Sequence, residues 1–241
     1  MRVDKFLSNM GCGSRKDIKH FVKIGAVSVN GKPCKDSGQN VDENFDIVTL
    51  YGDPVVYKEF VYLMMNKPQG VISATEDFRG ATVATELVGD DFNFYDLSPA
   101  GRLDIDTEGF LLLTNDGKFI HDIITPSRHV DKVYYCEADG EIEDSDFVAF
   151  EKGLTLADGF KCMPAKLELI ENLDGKCRAK VTICEGKFHQ VKRMFLARGK
   201  EITYLKRISI GGVALDEELE PGAYREFTED ELNILKRKND L

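Results

Sequence analysis

Gly101-Arg102-Leu103-Asp104-Ile105-Asp106-Thr107-Glu108-Gly109 stands between Ser98-Pro99-Ala100 and an apolar run at 110–113. An arginine and two aspartates within five residues do not suit a core-forming segment, because unpaired charge is expensive to bury. The stretch therefore reads as a charged loop beside an apolar run, and as a candidate site. Asp104 and Asp106 are two apart, so in extended chain they point to one side. A retaining glycosidase uses two carboxylates, but it sets them on opposite sides of the scissile bond, and neighbours on one short loop rarely straddle a substrate.

The rest of the chain bounds what such a loop can serve. Its 241 residues can bury a sizeable core, as one large domain or as a small one joined to a larger one. Charged residues make up 31% of the chain, the composition of a soluble globular protein. No apolar stretch reaches the length of a bilayer span, and Met1-Arg2-Val3-Asp4-Lys5 lacks a signal-peptide core, so cytoplasmic residence is expected. Cys12, Cys34, Cys136, Cys162, Cys177 and Cys184 form no Cys-x-x-Cys pair and the four histidines are dispersed. No zinc site is written here, and reduced, mostly buried thiols are expected.

The net charge of -10 conceals an asymmetry. Residues 1–40 carry eight Lys or Arg against three acids, and residues 178–207 carry nine against two. Acid gathers at 137–151 and 216–231. This pattern predicts a basic face for a polyanion and an acidic face turned to solvent.

At the N-terminus, Val3, Phe6, Leu7 and Met10 repeat at the spacing of one helical face. Gly11-Cys12-Gly13 breaks that helix, and Ser14 stands at an N-cap ahead of a second helix with Ile18, Phe21 and Val22 inward and Lys16, Lys19 and Lys23 outward. Gly25 ends it, Val27 and Val29 alternate as a strand, and Asn30-Gly31 signals a hairpin. The order helix, Ser-Arg-Lys helix, Gly-x-Val-x-Val-Asn-Gly-Lys hairpin resembles an S4 RNA-binding domain. That resemblance implies phosphate contacts from Arg2, Lys5, Arg15, Lys16, Lys23 and Lys32, which set position and affinity rather than sequence choice. Gly52-Asp53-Pro54 marks a turn toward a linker, so the first domain with its linker is placed at 1–58 and a second domain at 59–241.

In the second domain, residues 60–65 read as a strand buried on both faces, running into the turn Asn66-Lys67-Pro68-Gln69-Gly70 and a further strand at 71–73. Strand-rich runs at 166–170 and 178–184 follow, and 183–195 is a strand-to-helix passage with Gly186 at the join. Asn-Lys-Pro-x-Gly, Gly-Arg-Leu-Asp, Lys132-x-Tyr134 and Glu185-Gly186-Lys187-Phe188-His189-Gln190-Val191-Lys192-Arg193-Met194, in this order, resemble the motifs of RNA pseudouridine synthases. With the S4-like start and the ending Pro221-Gly222-Ala223-Tyr224-Arg225, the resemblance is to the RsuA group and spans nearly the whole chain.

The resemblance implies an α+β fold: a small S4 domain followed by a catalytic domain with a mixed, mostly antiparallel sheet and a central RNA cleft. It implies isomerisation of uridine to pseudouridine in ribosomal RNA, within the group most like the enzyme acting on uridine 516 of 16S rRNA. No cofactor or metal is needed, because no electron or group donor is consumed. Asp104 is the essential carboxylate by resemblance, Tyr134 lies against the uracil ring, and Lys187 pairs with Asp104, in place of the commoner arginine. Tyr135, on the other side of its strand, is expected in the core. Lys192 and Arg193 are expected at the RNA backbone, and His189 as a structural or RNA-contacting residue rather than a general base. Arg102 has two readings, a salt-bridge partner for a carboxylate or, favoured, a side chain that fills the stack vacated by a flipped nucleotide. The expected partner is small-subunit precursor rRNA, met by a monomer away from membranes. A non-catalytic S4-type ribosome-binding factor, the same reaction on a large-subunit uridine, and a hydrolase using Asp104 and Asp106 are the competing readings.

Overall fold

Ser14 caps the second helix by a reciprocal pair of bonds: Asp17 N donates to Ser14 Oγ at 3.3 Å and Ser14 N donates to Asp17 Oδ2 at 3.0 Å. These satisfy donors that a helix start otherwise leaves open. In the computed structural model, which describes residues 1–237, the two N-terminal helices are α1, Val3–Asn9, and α2, Arg15–Lys23. Asn30 and Gly31 both take positive φ, +52° and +73°, the two-residue turn that matches strand twist. It joins β1 (Val27–Val29) to β2 (Lys32–Pro33), and β3 (Val48–Leu50) and β4 (Asp53–Val55) complete an antiparallel sheet in the order β2-β1-β3-β4. Val3, Phe6, Leu7, Ile18, Val27 and Val48 fill the core between helices and sheet. Lys16, Lys19 and Lys23 are exposed.

The chain divides into two units, and the division differs from a simple cut near residue 58. The first unit takes Met1–Val61 together with Gly89–Asp96. Phe94 from that later segment lies under Gly11, where a Cβ would come 2.4 Å from its ring, and Tyr95 donates its hydroxyl to Lys58 O at 3.2 Å. Nothing in the local sequence of 89–96 signals this return.

The second unit holds Tyr62–Val88 and the described residues from Leu97 onward. Its strands are β5 (Tyr62–Lys67), β6 (Ser98–Pro99), β7 (Glu108–Thr114), β8 (Lys132–Asp139), β9 (Lys166–Leu173), β10 (Lys176–Ile183), β11 (Glu201–Ile210), β12 (Val213–Ala214) and β13 (Tyr224–Glu226). Helices α3 (Gly117–Ile124), α4 (Asp144–Lys152), α5 (Gln190–Leu196) and α6 (Glu229–Arg237) intervene. The main sheet runs β13-β5-β7-β11-β8-β10-β9, with β6 on β7 and β12 on β11. Among the strands of the described residues only β7 and β11 pair in parallel, so the fold is α+β with a mixed, mostly antiparallel sheet.

Three local expectations need correction. The buried strand begins at Tyr62, two residues late, and extends through Asn66 and Lys67, while Phe60 is 39% exposed. Residues 71–73 form no strand; Ile72 makes a single bridge to Val83. Tyr135 is half-buried rather than core, because its hydroxyl reaches Glu137 at 2.7 Å and its ring meets Tyr204 edge-on.

Candidate active site

The charged loop is built by its neighbours in the chain fold rather than by its own sequence. Ser73 Oγ accepts from Leu103 N at 3.0 Å and donates to Leu103 O at 3.1 Å, clamping the residue before Asp104. Gly70 N donates to Ile105 O at 2.7 Å, and Thr107 N donates to Asp104 O at 3.0 Å. The Asn-Lys-Pro-Gln-Gly turn is therefore a cradle for this loop, a structural role. Lys67 completes it: the side chain is fully buried, and its ammonium donates to Pro68 O at 2.8 Å. Burial pulls the Lys67 ammonium down to about 8, against the opposing pull of Asp106, Glu108 and Asp104.

Asp104 stays one-quarter exposed and faces the start of α5. Lys192 Nζ lies 3.4 Å from Asp104 Oδ2 and 2.5 Å from Asp106 Oδ1, so one ammonium bridges both carboxylates. Its hydrogen bond holds the Asp106 carboxyl below the ordinary range. His189 Nε2 is 3.6 Å from Asp104 Oδ1, an ion-pair distance when the ring is protonated. His189 has φ +48°, and it stands three residues before Lys192, which puts both side chains toward the loop.

Lys187, expected at Asp104, lies elsewhere. Its side chain is exposed and its ammonium sits 5.5 Å above the ring of Phe160. Its backbone N donates to Gln190 Oε1 at 2.9 Å, which fixes the turn before α5 and sends the side chain away from the loop. The carboxylate's counter-ion is Lys192, one of the two residues expected at the RNA backbone, and His189 joins it.

A row of side chains crosses the sheet just behind the loop. Lys67 on β5 stands opposite Gly109 on β7, Gly109 opposite Arg207 on β11, and Arg207 opposite Tyr134 on β8. Partners in register share a face of the sheet, so Lys67, Arg207 and Tyr134 point to one side. Arg207 is 2% exposed; its Nε donates to Phe110 O at 2.7 Å, its Nη1 reaches the Tyr134 hydroxyl at 3.5 Å, and its Nη2 has no partner. Gly109 makes this row possible, since a Cβ there would fall 2.3 Å from Arg207 O. Buried Lys132, at the start of β8, donates to Ile123 O and Val130 O and is pulled down to about 8 by burial and then by Arg207. Lys67 lies within the Asn-Lys-Pro-x-Gly motif without being singled out there as a site residue, and Arg207 is not singled out in the sequence at all; a cation in the inward phase of a strand is the available signal for it.

The remaining residues fall into distinct settings. Arg102 is exposed, and no ion pair joins it to a carboxylate among the described residues. Arg193 is held by Asp158 at 2.5 Å, rather than free for a phosphate. In the first unit Arg2 is committed to Asp4 at 2.7 Å, whereas Lys5, Arg15, Lys16, Lys23 and Lys32 are exposed. The basic run 178–207 is also less free than its sequence suggests. Arg178 pairs with Glu171 and Glu137, and Arg198 and Lys200 both pair with Asp146. Asp146 is 1% exposed, so part of the acid expected on a solvated face is buried counter-charge.

A carboxylate kept accessible, with the Lys192 ammonium and the His189 ring beside it, can act on an electrophilic carbon or a proton of a bound ligand. Comparisons with known proteins agree on one family. The RNA pseudouridylate synthase family matches residues 61–197, and the S4 domain matches residues 1–47. The chain is 52% identical to the RNA pseudouridine synthase YtzG of Bacillus subtilis, over 98% of both chains. It is 38% identical to ribosomal small subunit pseudouridine synthase A of Vibrio cholerae, over 96% of this chain and 98% of that one. A solved pseudouridylate synthase superposes with a TM-score of 0.67 at 34% identity, covering 98% of this chain and 99% of the other. With a family match over most of its second unit and full-length relatives at this identity, the chain belongs to the RNA pseudouridine synthases, in the RsuA group that carries an S4 domain ahead of the catalytic one.

Proposed function

We propose that this protein isomerises one uridine of small-subunit ribosomal RNA, position 516 of the 16S molecule, and that Asp104 is the carboxylate that acts on it. The observation that carries this reading is the setting of Asp104: accessible, clamped through Leu103, and held between Lys192 and His189. The name of the Vibrio cholerae relative supports the small subunit as source of the RNA.

The reaction breaks the ribose C1'–N1 bond, turns the uracil and joins C1' to C5; N1 gains a proton and C5 loses one. Only one carboxylate is required, at the ribose, either as nucleophile toward C1' or as base toward a sugar proton. Lys192 Nζ, 3.4 Å from Asp104 Oδ2, holds that carboxylate in place. A uridine within a stem must leave its stack to reach Asp104, with Tyr134 beside the uracil and exposed Arg102 entering the vacancy. The S4 domain in the first unit contributes Lys5, Arg15, Lys16, Lys23 and Lys32 to phosphates. The protein works as a cytoplasmic monomer.

Incubation with rRNA tritiated at uridine C5 tests the reading. Tritium release without free uracil is expected; free uracil would identify a hydrolase, and binding without either would identify a non-catalytic factor. Asp104→Asn should abolish release while RNA affinity stays, and Asp106→Asn should retain measurable release. Equal losses from the two substitutions would overturn the assignment of Asp104.

A further inference from the structure

Phe188 is an unusual residue to leave in water. It is 73% exposed, yet its ring stacks on His189, centroids 3.8 Å apart and planes at 17°. Consecutive side chains diverge in extended or helical chain, and they meet here because His189 takes the left-handed backbone conformation. The turn that carries them is braced from beneath. Gln190 Nε2 donates to Glu185 Oε1 at 2.7 Å, Glu185 Oε1 also accepts from Met163 N at 2.8 Å, and both side chains are buried. Arg193, anchored by Asp158, donates to Phe188 O at 3.3 Å. The aromatic pair is thus held in place before any ligand arrives. One face of Phe188 is taken by His189 and the other is open, one ring removed from the ring that touches Asp104.

We propose that the open face of Phe188 is a stacking platform for an unpaired nucleobase of the RNA substrate, the one flanking the target uridine. This rests on the reading of the substrate as RNA. A flat aromatic face accepts any base, and burial against it favours a base over a rotamer-rich side chain because both surfaces are rigid and planar. The adjacent residue Lys187, which is exposed, suits a polyanion. When the target uridine leaves its stack, its neighbour loses a stacking partner, and the open face of Phe188 replaces it. The platform would then contribute to opening the RNA as well as to binding it.

The test uses a 16S rRNA fragment with 2-aminopurine placed in turn at each nucleotide flanking the target uridine, mixed with full-length protein carrying Asp104→Asn so that no turnover occurs. Stacking predicts strong fluorescence quenching at one flanking position, lost when Phe188→Ala is added and restored by Phe188→Tyr. In the otherwise native protein Phe188→Ala should raise KM about fivefold to a hundredfold, with a smaller change in kcat, and Phe188→Tyr should recover it. Unchanged quenching and KM in Phe188→Ala would overturn the platform. A fall in kcat alone, with KM intact, would overturn it too and make Phe188 a support for His189. Absence of tritium release by the native protein on RNA that it binds would instead bring down the underlying substrate reading, and this proposal with it.

Discussion

Alanine at Gly109 separates the contribution of strand approach from that of backbone conformation. Gly109 has φ +101°, and an added Cβ would lie 2.3 Å from Arg207 O, 2.9 Å from Arg207 N and 2.8 Å from Lys206 Cγ. Two of these are backbone atoms of the strand paired with β7, so the contact is relieved only by moving β11. Gly175, in the turn between β9 and β10 of the same unit, is the control: φ is +76° and nothing lies within 4 Å of its Cβ position. Gly175→Ala should cost about 1–2 kcal/mol from positive φ alone. Gly109→Ala adds displacement of a packed strand, about 1–3 kcal/mol, for a total of roughly 2–5 kcal/mol. Urea denaturation followed by far-ultraviolet circular dichroism reads both, as shifts in midpoint at constant slope. The displacement also draws Arg207 from Tyr134, so tritium release should fall in Gly109→Ala and stay near the native rate in Gly175→Ala. Equal stability losses would refute the strand-approach argument. Full turnover in a destabilised Gly109→Ala would refute a part for the Arg207–Tyr134 contact in turnover.

Two further outcomes follow from the buried and half-buried cations. Lys192→Met should lower kcat by on the order of tenfold to a hundredfold, because it strips Asp104 of its closest cation, while Lys187→Met should change kcat less; the reverse ranking in single-turnover tritium release would return the counter-ion role to Lys187. Lys67, with a folded value of about 8 against 10.5, binds its proton less tightly in the folded state, so its contribution to stability rises as pH climbs from 8 toward 10.5 and is lost as pH falls back through 8. The burial-raised cysteines act with opposite sign above about 9, so the measurement is the difference between native protein and Lys67→Met. That difference should move in favour of the native chain by up to about 3 kcal/mol across the window, and a pH-independent difference in urea midpoints would exclude a depressed Lys67.

Features set by neighbours in sequence were legible, and features set by register were not. Ser14 before Arg15 and Asn30-Gly31 between alternating valines act within four residues, so their caps and turns follow from the chain itself. The charge density of 101–109 marked a loop whose position in the fold is its function. Arg207, by contrast, reaches Phe110 across 97 residues; the parallel pairing of β7 with β11 brings it to Gly109, and the antiparallel pairing of β11 with β8 brings it to Tyr134. The assignment of Lys187 to Asp104 failed for a reason of helical phase. The motif puts Lys187, His189 and Lys192 on one segment, but the turn at His189 starts α5 there, and from that point residues three apart share a face while Lys187 is left outside. Lys192 then meets Asp104 and Asp106 together, so the two carboxylates share one counter-ion. The activity expected to survive in Asp106→Asn has a cause in this sharing: removing the Asp106 charge leaves the Lys192 ammonium wholly to Asp104, whereas removing the Asp104 charge lets it settle on Asp106, 2.5 Å away and outside the reaction.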